Sequence, residues 1–359
     1  MNVGGKRESR TADARRVSRV GGMATLGDVA ARAGVSISAV SRVLSHAPDS
    51  RVSAATRQRI VDAATELHYR PNFAGRALKS ARTQVVGLVV PDITNALFTE
   101  LMHGAEDEAT ERGYTVLLGR SDDVRPGGEV IARLIGEGRV DGMALQIGDG
   151  VTPAGLHDLL STQAPIVLVN SASPLFVGSV TLDDHRGALI ATQHLLELGH
   201  ERIAFANGLP RSFTAKRRRT GYKLALATAK VRVPKGYETR VGYTVDNGRT
   251  ALRRLMELDP RPTGIVVANV NAAVGLLGEA RKLGIRVPED LSVVTVHDSW
   301  TAENTWPPLT AVKMQFYAVG RTAVRSVIHR IETGETSDQV VTDPAPELII
   351  RESTAPPRR

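Results

Sequence analysis

Two regimes of hydrophobic patterning divide the chain. Between residues 25 and 69 apolar side chains recur at helical spacing: Leu26, Val29, Ala30 and Ala33, then Val40, Val43 and Leu44, then Ile60, Ala63, Ala64 and Leu67. Positions three and four apart share one face of a helix, so this spacing predicts three short helices around a small common core. Pro71 interrupts the pattern, and a short segment, 72–80, leads to a different one beginning at Gln84. There, strand-like apolar runs alternate with amphipathic stretches: Val85–Val90, a helix near 97–112, then runs at 115–118, Gly142–Leu145, Ile166–Val169, 203–206, Gly264–Val267 and 291–296. Alternating β and α units predict parallel sheets with helices on both faces. Around ten strands over about 260 residues fit two lobes better than one sheet. The expected fold class is α/β, with an N-terminal all-α module and a two-lobed core. Residues 1–23 show no apolar periodicity and are predicted as a disordered basic arm.

Charge sharpens this division. The chain of 359 residues carries a net +8, but residues 1–84 alone carry +9 and the remainder −1. A basic patch confined to one small module is the footprint of a nucleic-acid partner, since counterion release from phosphates drives such binding; a solubilising basic tail is the plainer alternative. There is no cysteine, which excludes disulfides and thiolate metal sites. The first residues lack the apolar stretch of a secretory signal, and no apolar run approaches the roughly 20 residues that span a bilayer, so the expected location is the cytoplasm, without membrane contact.

The densest motif runs from Thr25 to Leu44, TLGDVAARAGVSISAVSRVL. Thr25 suits a helix cap that also bonds a phosphate, Gly34 suits a tight turn between helices, and Ser36 suits a second cap. Ala30 and Val40 are small or apolar where two helices would cross. With Val40 and Val43 inward, the second helix turns Ile37, Ser38, Ser41 and Arg42 outward. Arg42 is equipped for a bidentate contact to guanine, and Ile37 for thymine methyls, whereas Ser38 is too short to specify much. An ordinary pair of hairpin helices is the bland alternative.

In the second regime, Val90-Pro91-Asp92-Ile93-Thr94-Asn95-Ala96-Leu97-Phe98 reads as a strand end running into a helix start, where open α/β sheets bind ligands. Asp92 and Asn95 offer hydrogen bonds to sugar hydroxyls and Phe98 an apolar face; equally, Asn95 could cap the helix with Phe98 in the core. The run Lys216-Arg217-Arg218-Arg219 reads as a mostly solvated helix face rather than a second nucleic-acid patch. Trp306 and Phe316 could stack on a ligand, with core packing the default for both. No dinucleotide fingerprint, phosphate-binding loop, nucleophile elbow or metal-binding histidine spacing is present, so neither a catalytic activity nor a cofactor is expected.

Thr25-Leu26-x-Asp28-Val29-Ala30, Ala33-Gly34-Val35-Ser36, Val40-Ser41-Arg42-Val43-Leu44 and Tyr69-x-Pro71-Asn72 together resemble the signature of the Lac repressor (LacI/GalR) family, and the likeness continues to about residue 355. The resemblance implies a helix-turn-helix DNA-binding domain at 24–69, a hinge helix and linker at 70–83, and a periplasmic-binding-protein-like core at 84–355 whose chain crosses between lobes near 183, 313 and 343. It implies base reading by Ile37, Ser38 and Arg42, and phosphate contacts from Thr25, Ser36, Ser41, Ser53, Thr56, Tyr69 and Asn72. The loop 45–51 is longer than in the family's name-giving member, yet keeps Arg51 placed for a phosphate. Leu78, beside Arg76, matches the hinge residue wedged into a minor-groove step, although Gly75 replaces the family's usual alanine and disfavours a hinge helix by about 1 kcal/mol.

In the core, the resemblance assigns effector contacts to Asp92, Asn95, Phe98, Arg218 and Asn269. It leaves the acid after β-strand residue Val296 divided between His297, at the matched position, and Asp298 beside it. The implied protein is a homodimeric transcriptional regulator, a repressor by default, holding a pseudopalindromic double-stranded operator under control of a small molecule of the sugar class. Its dimer face is expected on helices near 97–112 and 272–283, and no heptad-bearing tail after Arg351 suggests a tetramer. A solute-binding protein or a sugar-handling enzyme on the same scaffold are the alternatives.

Overall fold

The computed structural model describes residues 24–44, 52–70, 82–93, 95–121, 132–148, 164–173 and 176–358. The chain divides into two compact units, Met1–Arg82 and Thr83–Arg359. In the first, α1 (Leu26–Ala33) starts where Thr25 and Asp28 cap each other's backbone N–H groups reciprocally, and ends at Gly34, whose φ of 67° a side chain would strain. After the turn come α2 (Ile37–Leu44) and α3 (Ala54–Glu66). Val29, Ala30, Ala33, Val40, Val43, Ile60, Ala63 and Ala64 form their shared core, as the helical spacing predicts. An Arg32–Glu66 ion pair of 2.7 Å ties α1 to α3 at the surface.

The second unit holds two six-stranded sheets. The first lobe contains β1 (Val85–Val90), β2 (Thr115–Arg120), β3 (Gly142–Leu145), β4 (Ile166–Val169), β5 (Ser179–Leu182) and, from far along the chain, β11 (Gln339–Val341), in the order β11-β5-β4-β3-β1-β2. The second contains β6 (Ile203–Asn207), β7 (Glu238–Arg240), β8 (Gly264–Val267), β9 (Ser292–Val296), β10 (Thr310–Lys313) and β12 (Glu347–Ile349), in the order β12-β10-β9-β8-β6-β7. Pairing is parallel except between β10 and β12, which departs from the all-parallel expectation. The reversal follows from chain direction: β12 returns to the second sheet directly after β11 and runs back along its edge.

The chain thus leaves the first sheet after Leu182, returns after Lys313 and leaves again after Val341. All three crossings start at strand carboxyl ends, so the carboxyl edges of both sheets meet in the crossover region. Helices α4 (Phe98–Glu111) and α10 (Phe316–Thr333) pack together on the first sheet. On the second, α5 (Asp184–Glu197) pairs with α6 (Phe213–Thr228), and α7 (Val245–Met256) with α8 (Val270–Lys282). Alternate residues of the second sheet feed two cores: Phe205, Val266, Val294 and Val312 face one, Ala206, Ile265, Val293 and Ala311 the other.

Each helix pair closes on glycine. A Cβ at Gly104 would lie 2.0 Å from the Tyr317 carbonyl oxygen, at Gly221 2.0 Å from that of His185, and at Gly275 1.8 Å from that of Val245. The backbones therefore touch directly. The C-terminal segment straps the second lobe: Ser353 bonds Val293 and the Thr310 N–H, His194 pairs with Thr354 at 2.9 Å, and His200 donates to the Ala355 carbonyl at 2.9 Å. Burial lowers the proton affinity of both histidines. Trp306 corrects its core-packing default, being 85% exposed, because it projects from the turn between the short helix α9 (Trp300–Glu303) and β10; Phe316 is buried. No helix among the described residues is long and apolar enough to cross a membrane.

Candidate DNA-reading face and effector cleft

Three of the eight predicted phosphate contacts, Thr25, Ser36 and Ser53, sit at helix starts. Ser36 Oγ accepts the Ala39 N–H and bonds Ser38 Oγ at 3.0 Å, while Ser53 Oγ accepts the Thr56 N–H at 3.3 Å and bonds the Thr56 hydroxyl. The positive ends of α1, α2 and α3 thus each carry a hydroxyl, the arrangement that suits anionic oxygens. The Ser53 cap adds to the phosphate role expected of that residue, and its signal in the sequence is a Ser ahead of an apolar-periodic run. Ile37 is 56% exposed, Ser38 and Arg42 are exposed, and Ser41 is half-buried, while Val40 and Val43 point into the core. Tyr69 packs its ring on the same core. The 1–23 arm, Arg51, Asn72, Arg76 and Leu78 lie outside the described residues, as does the 71–81 part of the hinge.

In the crossover region Arg218 is the hub. It is 2% exposed, and its three nitrogens go three ways: Nε to Asp184 at 2.8 Å, one terminal nitrogen to the Ala268 carbonyl at 2.7 Å, the other to His297 Nε2 at 2.9 Å. Arginine only donates, so His297 Nε2 accepts and the ring proton sits on Nδ1. Burial, helped by the arginine charge, holds His297 far below the usual histidine range and hence neutral. Burial also pushes the Asp184 carboxyl up, against the pull of Arg218. His297 has a φ of 76°, unusual for a residue with a side chain, and such strain persists where surroundings over-determine it. Its ring meets Phe316 edge-on at 4.9 Å, and Phe316 meets Phe98 at 6.5 Å, so an aromatic chain runs from one lobe to the other.

The remaining expected residues divide. Asn269 caps α8 through the Ala272 N–H and donates to the Tyr243 carbonyl at 3.1 Å. Asp298 is held by both terminal nitrogens of Arg351, at 2.8 and 2.9 Å, which turns it from the arginine hub. Asn95 accepts the Leu97 N–H at 3.1 Å, Phe98 is buried, and Asp92 is exposed at the mouth of the first sheet. The basic run is less solvated than its composition suggests: Arg217 pairs with Asp183 and Arg219 with Glu238, leaving Lys216 exposed.

Five residues share one trait, and all of them but His297 carry no expectation from the sequence. Ser121 Oγ, Gln146 Oε1, Asp184 Oδ2, His297 Nδ1 and Gln315 Oε1 are buried without a hydrogen-bond partner, and each stands one or two residues beyond the carboxyl end of β2, β3, β5, β9 or β10. An unmade buried hydrogen bond is costly, so these atoms at the strand carboxyl ends are groups that another molecule's polar atoms could satisfy. Their signal in the sequence is positional: a polar residue directly after an apolar run. The set mixes a donor, His297 Nδ1–H, with acceptors such as Asp184 Oδ2, and hydroxyl groups satisfy both kinds. Among the described residues no His, Asp and Glu cluster could hold a metal.

Comparison with known proteins places this geometry. Residues 25–72 match bacterial regulatory proteins of the lacI family, and residues 192–354 match the periplasmic binding protein-like domain. The chain is similar to the catabolite control protein A of Priestia megaterium, with 33% identity over 92% of this chain and 99% of that protein. Among solved structures, the CelR–cellobiose complex is 30% identical over 92% of this chain and 99% of that one, with a TM-score of 0.68. The Lac repressor dimer bound to operator and an anti-inducer is 25% identical over the same shares, with a TM-score of 0.77. Likeness to transcriptional regulators over 92% of the chain agrees with a capped three-helix module followed by a two-lobed α/β core: the chain belongs to the lacI family of bacterial regulatory proteins.

Proposed function

We propose that the protein is a homodimeric cytoplasmic repressor whose hold on a pseudopalindromic operator is set by a hydroxyl-rich small molecule, of the sugar class, between its core lobes. The observation that carries the effector half is the set of unpaired buried polar atoms at the carboxyl edges of both sheets, two of which belong to Arg218's partners Asp184 and His297. Open α/β sheets bind ligands at that edge, and polyols offer the mixed donors and acceptors it lacks. Here His297, rather than Asp298, is the residue that meets the ligand, because Arg351 already occupies both oxygens of Asp298. Arg218, Asn269, Asp92, Asn95 and Phe98 complete the site. Neither catalysis nor a cofactor enters this reading.

On the DNA side, Ile37, Ser38 and Arg42 read bases from the exposed face of α2. Thr25, Ser36, Ser41, Arg51, Ser53, Thr56, Tyr69 and Asn72 hold phosphates, and Arg76 and Leu78 act in the minor groove. A ligand that prefers one arrangement of the lobes shifts the population that grips the operator by its differential affinity. The test is a selection of bound duplexes from genomic fragments at near-physiological salt, run with the wild-type chain and with Arg42→Ala combined with Leu78→Ala. Enrichment of a short palindrome that the variant loses is the expected result; salt-sensitive binding without sequence preference overturns it. A thermal-shift panel of mono- and disaccharides with wild type and His297→Phe then tests the cleft, where a stabilising sugar should lose its effect in the variant.

A further inference from the structure

The second unit begins with a turn held by one carboxylate. Asp141, at the amino end of β3, accepts the Thr83 N–H at 2.7 Å and the Thr83 hydroxyl at 2.8 Å on Oδ1, and the Gln84 N–H at 2.8 Å on Oδ2. The neighbouring backbone closes around it: Asp141 donates its N–H to the Val85 carbonyl at 2.8 Å, and the Gln84 carbonyl accepts from Thr115 at 2.9 Å. Gln84 has a φ of 55°, a left-handed conformation that a glutamine leaves unless held. Hydrogen bonds to a carboxylate are shorter and stronger than neutral ones, and here three converge from two consecutive residues. Those residues are the first of the core, directly after the segment 70–82 that ties it to the DNA-reading module. Strand β1 alone does not need this device, since its pairing with β2 and β3 starts at Val85 and Val86.

We propose that Asp141 is a coupling residue: it fixes the point at which the tether of each DNA reader leaves the core, so that position and movement of the first-lobe sheet are passed to the reader instead of being absorbed by slack chain. The inference rests on the operator-binding reading above. Releasing Thr83 and Gln84 lengthens and softens each tether, which lowers the effective concentration of the second reader once the first has bound and blurs the half-site spacing the dimer demands. Base and phosphate contacts stay as they were.

The probe is the palindromic duplex enriched by the wild-type chain, together with versions carrying one base pair more or fewer at its centre. For wild type the altered spacings should cost about tenfold or more in affinity. In Asp141→Ala, amide exchange at Thr83 and Gln84 should speed up by about tenfold or more. Parent-duplex affinity should fall by about three- to tenfold and the spacing penalty shrink to roughly threefold, while the salt dependence of binding stays unchanged. Asp141→Asn, which keeps one carbonyl acceptor, should fall between. If Asp141→Ala fails to fold, Asp141→Asn and Thr83→Val carry the same measurement. Fast exchange with a wild-type spacing penalty overturns the proposal alone, as does unchanged exchange, whereas a wild-type chain that enriches no palindrome overturns the operator reading beneath it.

Discussion

Arg218 shows how much one residue can hold. Its guanidinium bonds one oxygen of an aspartate from α5, a carbonyl at the end of β8 and one ring nitrogen of His297, all away from water. Removing one partner of a buried ion pair strands the other, at a cost of about 3–5 kcal/mol. Arg218→Met should therefore lower the unfolding free energy by about that amount, while Arg218→Met combined with Asp184→Leu should regain most of it; urea titrations of the two variants decide. Family likeness singled out Arg218 as an effector contact but not its bonds to buried internal partners. Asp184 was not legible, because Asp183-Asp184 in front of a helix reads as an ordinary acidic first turn, and only the fold reveals that the first caps α5 while the second is sealed against the arginine. Likewise, no pattern distinguishes His297 from Asp298, and their difference lies with Arg351, distant in sequence.

At the scale of elements, the helix pairs give a sharp contrast within α8. Gly275 lies against the backbone of Val245, whereas a Cβ at Gly278, three residues on and exposed, would meet nothing within 4 Å. Alanine favours a helix over glycine by about 1 kcal/mol, so Gly278→Ala should raise stability by about that much. Gly275→Ala gains the same propensity but forces two backbones apart, and a net loss of about 2 kcal/mol is expected. Opposite shifts in melting temperature would bear this out, and equal shifts would refute backbone contact. Strands divided in a similar way. Fully buried apolar strands such as β3, β4 and β8 were legible to the residue, because a four-residue apolar run between longer amphipathic stretches is too short for a buried helix. Strands β5 and β10 escaped notice through their polar residues: Ser179 bonds Asp338, Thr181 bonds the Gln339 carbonyl, and Thr310 bonds the C-terminal segment. Short β7, β11 and β12 lie at sheet edges and carry no apolar run of their own.

For the whole molecule, buried histidines set the response to acid. His194, His200 and His297 all bind protons less readily in the folded chain than the usual histidine pKa of 6.5. The unfolded chain then takes up more protons below that pH, so their contribution to stability is complete above about 6.5 and is lost as the pH falls. Each can remove up to about 1.4 kcal/mol per pH unit. A second window lies lower. Glu108 is held at about 2 by Arg325, with Arg112 and Arg321, so the stabilisation from this α4–α10 cluster is present above about pH 4.5 and disappears towards 2. Unfolding free energy should therefore decline from pH 6.5 to 5, and His200→Gln, whose amide can still donate to Ala355, should flatten part of that decline. An unaltered slope in the variant would remove His200 from the account.

The interleaving of the two sheets also fixes what a partly made chain contains. The first lobe waits for α10 and β11 until residue 341 is synthesised, and the second waits for β12 and the 353–355 strap. The reading module is contiguous and closes its own core from residues 29–64. During synthesis, which runs from the amino end, its helices are complete long before either controlling lobe can close. A message cut short anywhere in its second half therefore yields a reader without a governor. Such a fragment still carries the folded reading module and keeps early effector-side residues such as Asp92, Asn95 and Phe98, but it lacks the closed two-lobed core in which a metabolite would be held, which makes early termination in this gene a matter of misplaced occupancy rather than of simple absence.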